Sequence, residues 1–181
     1  MTVAESIATP DTLPAPAAEP GEAKTQSLAF ICYSGELEKI WAGMILASTA
    51  GAMAMPTKVF VTFWGLQAFV KDGKRITGEN WMQKMMSFMQ RPGISHRKLS
   101  KMNFLGMGPW MMRKLAKQYN VASPKELLEM AQLMGVEFIP CQMTMDMFGI
   151  KREDLMDGMG EPVGAATYLG FVSEGASPIF I

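Results

Sequence analysis

The chain has 181 residues, 49% of them apolar, with 17 Lys and Arg balanced by 17 Asp and Glu. That is enough for one domain with a buried core, so a wholly disordered or fibrous chain is excluded. Two cysteines, Cys32 and Cys141, exclude a disulfide scaffold, and no secretory signal is seen, so a reducing cytoplasm is the expected location.

Net charge says nothing of partners, but its distribution does. From Lys71 to Lys117 eleven Lys and Arg stand against Asp72 and Glu79, whereas from Ser123 onward three basic residues face nine acidic ones. One segment is basic and the next acidic, without a recognised nucleic-acid motif.

Residues 1–26 are rich in Ala, Pro, Glu and Thr and lack aromatics, which predicts a disordered tail ahead of a domain over 27–181. Ser27 to Tyr33 reads as a buried strand. Glu36 to Met55 reads as a helix, acidic at its start and closed by Pro56. Its uncharged part, Ile40 to Met55, is short for a membrane span and rich in small residues, so burial against a sheet or a neighbouring subunit is expected. Thr57 to Phe63 is a second strand. Gly65 to Val70 begins a helix, and Asn80 caps another from Trp81 to Gln90. Arg91 to Pro109 is a long basic loop carrying His96 and Lys101. Trp110 to Tyr119 is helical. Ser123-Pro124-Lys125-Glu126 is a capping box opening a helix to Met134. Val136 to Ile139 is a third strand, ended by Pro140. Lys151 to Met156 and Glu161 to Val172 are expected helices, and Ser177 to Ile181 a terminal strand. Alternating strands and helices predict a three-layer Rossmann-like or flavodoxin-like α/β domain with a mainly parallel sheet of four to five strands.

The segment Cys141 to Ile150 holds the strongest chemistry. Cys141 follows a strand directly, at the carboxyl edge where open α/β sheets bind ligands. Thr144 or Asp146 is expected to cap a helix just beyond it, whose dipole favours a thiolate. Gln142, Thr144, Asp146, His96 and Lys101 are the candidates for lining the pocket or stabilising an anion there. Against this stands the plain reading of a buried thiol as a small hydrophobe, which Cys32, inside the first strand, fits best. The alternation Cys141, Met143, Met145, Met147 admits a soft-metal Cu(I) reading, though without a histidine in the segment. Gly106, Gly108 and Pro109 precede a helix and offer amide groups to an anion, without the spacing of a dinucleotide fingerprint. His96, the one histidine, is a candidate base in a basic loop.

The segments ICYSGELEKIWAGMILASTAGAMAM, VFVTFWGLQAF, SKMNFLGMGPWMMRKLAKQYNVASPKELLEMAQLMGVEFIPCQMTMDMFGI and GEPVGAATYLGF resemble the DsrE/DsrF/DsrH-like family, over Leu28 to Ile181. The most specific piece is CQMTMDMFGI, with Thr144 where the family form usually has Ser. The resemblance implies a parallel-sheet α/β fold assembled into oligomers. It implies that Cys141 carries sulfane sulfur as a persulfide, taken from a rhodanese-like donor or passed to a TusA-type carrier. Cys32 is a second thiol with no role implied. No cofactor, metal or nucleic acid is expected, and membrane association is not the expected state. A non-catalytic scaffold subunit is the alternative.

Overall fold

The computed structural model describes residues 26–74, 76, 78, 80–89 and 92–181, the side chains of 87–89 excepted. All but the last residue of the tail expected over 1–26, and the expected helix end at Gln90, lie outside the described residues. Among the described residues four strands form one sheet: β1 Leu28–Cys32, β2 Thr57–Val61, β3 Glu137–Pro140 and β4 Ser177–Phe180. All pairs are parallel, in the order β3-β2-β1-β4. The continuous apolar run of β1 and the Val59-Phe60-Val61 run that ends β2 fit a parallel sheet covered on both faces.

The helices are α1 Leu37–Ala52, α2 Phe63–Leu66, α3 Trp81–Met89, α4 Met107–Gln118, α5 Pro124–Leu133, α6 Gln142–Phe148 and α7 Ala165–Ser173. Short 3-10 turns lie at Gln67–Phe69, Ile94–His96, Phe104–Gly106 and Arg152–Asp154. The strand order explains the layers. From β1 to β2 to β3 the chain steps one way across the sheet, and from β3 to β4 it returns. Crossovers of one hand then put α1 and α5 on one face and α7 on the other.

The core divides accordingly. Phe30, Cys32, Val59, Val61 and Phe138 face the α1 and α5 side with Ile40, Met44, Leu128 and Ala131. Ala29, Phe60 and Cys141 face the α7 side with Tyr168 and Ala176. The uncharged stretch of α1 is a packing helix: Ile40, Trp41, Met44 and Ala47 are buried. Among the described residues no helix is long and apolar enough to cross a membrane.

Several expected boundaries move. The helix expected from Gly65 starts at Phe63, and Gly65 lies so close to β1 that a Cβ would stand 2.3 Å from the Cys32 carbonyl oxygen. The long basic loop contains two 3-10 turns, and α4 begins at Met107, ahead of the expected Trp110. The helix expected over Lys151 to Met156 shrinks to one 3-10 turn. The helix expected from Glu161 begins only at Ala165, because residues 159–163 run extended beside β3. Gly160 N–H donates to the Phe138 carbonyl (2.7 Å) and Val163 N–H to the Pro140 carbonyl (3.0 Å).

Candidate functional site

Pro140 was expected to end the third strand, yet it lies within β3, paired with Val61. The reason is the direction of its missing donor. Cys141 N–H donates to the Val61 carbonyl (2.9 Å), whereas the Phe138 and Pro140 carbonyls point the other way, to Gly160 and Val163. Backbone groups alternate sides along a strand. The proline nitrogen therefore faces away from β2, where no ladder bond is lost.

Cys141 itself is the N-cap of α6, with φ −79° and ψ 116°. Neither Thr144 nor Asp146 caps that helix, contrary to expectation. Capping by Cys141 follows from β3 running straight into the helix with no intervening loop. Thr144 is fully buried in α6, its hydroxyl 2.9 Å from the Thr62 hydroxyl and accepting from Phe63 N–H at 3.2 Å. It ties α6 to the corner where β2 ends. Asp146 accepts from the Gln142 side chain one turn earlier (2.7 Å), at the surface. Gln83 of α3 donates to the Asp146 and Met147 carbonyls, at 3.1 and 3.2 Å.

The thiol lies under cover. Cys141 is 3% exposed and packs with Ala29, Phe60, Tyr168 and Ala176, against which Ile139 and Val163 also lie. Tyr168 stacks on Phe60 with ring centroids 5.3 Å apart and donates its hydroxyl to the Ala29 carbonyl (3.1 Å). The segment Met159–Gly164 closes the edge: Cys141 bridges Val163, whose carbonyl accepts from Gln142 N–H at 3.0 Å. Three backbone hydrogen bonds thus hold this strap beside the cysteine, with Gly160, Pro162 and Gly164 within it.

The remaining candidates are elsewhere. Cys32 ends β1, with β2 between it and the strand carrying Cys141, so two strand spacings, about 10 Å, separate them. They also face opposite sides of the sheet. Burial pushes the Cys32 thiol up to about 12. His96 sits in a 3-10 turn, its Nδ1 3.6 Å from Asp72, and that turn sends Ile94 into the α1 and α5 side of the core. Lys101 is exposed in the loop before α4. The sequence therefore grouped side chains that the fold distributes over both faces. The methionine alternation is wrapped onto a helix, with Met143 and Met147 exposed and Met145 buried, so the sulfur atoms do not converge. Among the described residues there is no cluster of three His, Cys, Asp or Glu that could hold a metal.

Thr62, Val163 and Tyr168 were not anticipated. The signal for Val163 was present: Gly160, Pro162 and Gly164 argue against a helix beginning at Glu161.

The sequence profile of the DsrE/DsrF/DrsH-like family matches residues 24–180. The chain belongs to this family. Within that frame it is similar to the uncharacterized protein YrkE of Bacillus subtilis, at 36% identity over 87% of this chain and 98% of the relative. It is also similar to the sulfur carrier protein DsrE2 of Allochromatium vinosum, at 35% identity over 86% of this chain and 98% of the relative. A solved structure of a protein of unknown function from Methanobacterium thermoautotrophicum aligns over 86% of this chain and 99% of that one, with a TM-score of 0.47 and 12% identity. The family member described here thus presents one cysteine at the junction of β3 and α6, beneath a short backbone strap.

Proposed function

We propose that this protein carries sulfane sulfur on Cys141 and relays it to a protein thiol. Family membership and the similarity to a sulfur carrier support a sulfur-transfer role. The observation that carries the assignment to Cys141 is its place as the residue that joins β3 directly to α6, at the carboxyl edge of the sheet where open α/β folds bind ligands. Cys32 lacks such a position, and its raised pKa keeps it a thiol.

The chemistry is thiol exchange with a persulfide as the sulfur source. The Cys141 thiolate attacks the outer sulfur of a donor persulfide, R–S–SH. A new S–S bond forms to give Cys141–S–SH, the donor S–S bond breaks, and R–S⁻ leaves. An acceptor thiolate then attacks the same outer sulfur and takes it, returning Cys141 to the thiolate. No external oxidant is consumed. A rhodanese-like protein suits the donor role and a TusA-type carrier the acceptor role.

Because Cys141 is 3% exposed, transfer requires the Met159–Gly164 strap or α7 to move aside. The same burial favours a second reading, in which the domain is a non-catalytic subunit of a sulfur-relay complex. Intact-mass measurement after treatment with polysulfide, then with an acceptor thiol, separates the two. The wild type and Cys32→Ala should gain sulfur and lose it to the acceptor, while Cys141→Ser gains none. Equal loading of all three proteins, or no loading of any, would leave the scaffold reading.

A further inference from the structure

One surface is unlike the rest of the molecule. Between Glu79 and Glu126 the sequence carries nine Lys and Arg and no Asp or Glu. Within it, the 3-10 turn Phe104–Gly106 leads into α4, and this hairpin turns its apolar side chains outward. Met102, Phe104, Met107, Trp110 and Met111 are each more than half exposed, and Leu105 is fully so. In α4, the helix period places Met107, Trp110, Met111, Lys114 and Leu115 on the outer face. Pro109, Met112 and Ala116 turn inward, Pro109 buried and the other two half-buried. An ordinary surface helix has the reverse arrangement.

The hairpin is shaped to hold this arrangement. Met102, Phe104 and Leu105 adopt positive φ of 59°, 32° and 55°, a region bulky side chains rarely occupy. Gly108 lets the turn fold onto the helix start, since a Cβ there would stand 2.0 Å from the Met102 carbonyl oxygen. Lys98, Lys101, Lys114 and Lys117 are exposed within or next to this stretch, and the Lys114 ammonium lies 5.1 Å from the Trp110 ring centroid.

We propose that the Met102–Leu115 hairpin seats the protein on the surface of an anionic lipid bilayer. The tip side chains stand in solvent, Leu105 fully so, and can enter an acyl layer without the matched cavity that a protein partner would supply. An interface of acyl chains below and acidic headgroups above accepts its Leu, Phe, Met and Trp side chains and its exposed lysines together. The stretch carries no carboxylate of its own, which lessens the repulsion that anionic headgroups would meet, with Glu38 of α1 accepting from Ser100 N–H at its base. Because the hairpin lies along the surface, no spanning helix is required. The inference does not depend on the sulfur chemistry of Cys141.

The test is co-sedimentation of the full chain with phosphatidylcholine vesicles, with and without phosphatidylglycerol. The wild type should sediment with the anionic vesicles and be released by salt. Leu105→Ser with Trp110→Ser should weaken binding at least about tenfold, since two large apolar groups no longer leave water. Lys101→Gln with Lys114→Gln should lose the preference for anionic lipid. All four side chains are exposed, so thermal unfolding should be unchanged in both variants. A wild type that stays in the supernatant, or variants that bind as it does, overturns the proposal. So does a wild type that self-associates without lipid while the Leu105→Ser, Trp110→Ser variant does not, because the hairpin is then an interface between copies.

Discussion

At the scale of single residues, the two thiols are set apart by which face of the sheet they occupy. Cys32 lies among Phe30, Val61 and the side chains of α1, where an ionised sulfur would be stranded, so its pKa is pushed from 9.0 to about 12. This has a consequence for stability. Between pH 9 and 12 the unfolded chain has lost a proton that the folded chain still holds, so stability falls as pH rises through that window. Below pH 9 the contribution is fully present. A shift of about three units corresponds to roughly 4 kcal/mol at its limit. Cys32→Ala should therefore flatten the alkaline side of the stability curve, although the variant starts lower because a small cavity is left. Denaturant midpoints measured from pH 7 to 11 check this. Parallel curves for wild type and variant would show that another group controls alkaline unfolding.

At the scale of elements, the candidate site depends on how α6 is joined to the end of β2. The Thr144 hydroxyl satisfies Phe63 N–H and pairs with the Thr62 hydroxyl, all at a corner where Phe63 has a positive φ of 45°. Thr144→Val keeps the shape but leaves a backbone donor and a hydroxyl without that partner. It should cost about 1–3 kcal/mol by denaturant unfolding, with Thr144→Ser close to wild type. If valine is tolerated as well as serine, the hydroxyl pair does not hold the corner. The sequence showed the hydroxyl at position 144 but assigned it to a cap, because a threonine near a helix start commonly caps. Only the tertiary fold, which brings residue 62 against residue 144, shows its other use. The Ser123 box was legible for the opposite reason. It is a local device, and Ser123 and Glu126 satisfy each other within one turn. The strap over Cys141 is hidden in the sequence because its small and apolar residues run on into those of α7, and its hydrogen bonds go to a strand more than twenty residues earlier.

At the scale of the whole molecule, alternating apolar runs and helical periods made the α/β class and the parallel sheet readable. The order β3-β2-β1-β4 was not, since which strands neighbour one another depends on contacts distant in sequence. That order leaves one face of the sheet with α7 as its covering helix. This helix and the residues just before it, Pro162 to Ser173, carry no charge, and Leu169 on the helix and Phe180 on edge strand β4 are 61% and 67% exposed. A helix apolar on all sides usually belongs in an interior. Burial by a second copy at this face is therefore expected, in keeping with the oligomeric assembly that the family resemblance implies. Such an interface would also lie over the helix that shields Cys141, coupling assembly to access at the thiol. Leu169→Glu places a charge at the centre of that surface and should convert an oligomer to a monomer by light scattering. In the same variant, alkylation of Cys141 should accelerate if the neighbouring copy helps to hold α7 down. An unchanged particle mass in Leu169→Glu would place the contact elsewhere, and unchanged alkylation in a monomeric variant would show that the strap alone controls access.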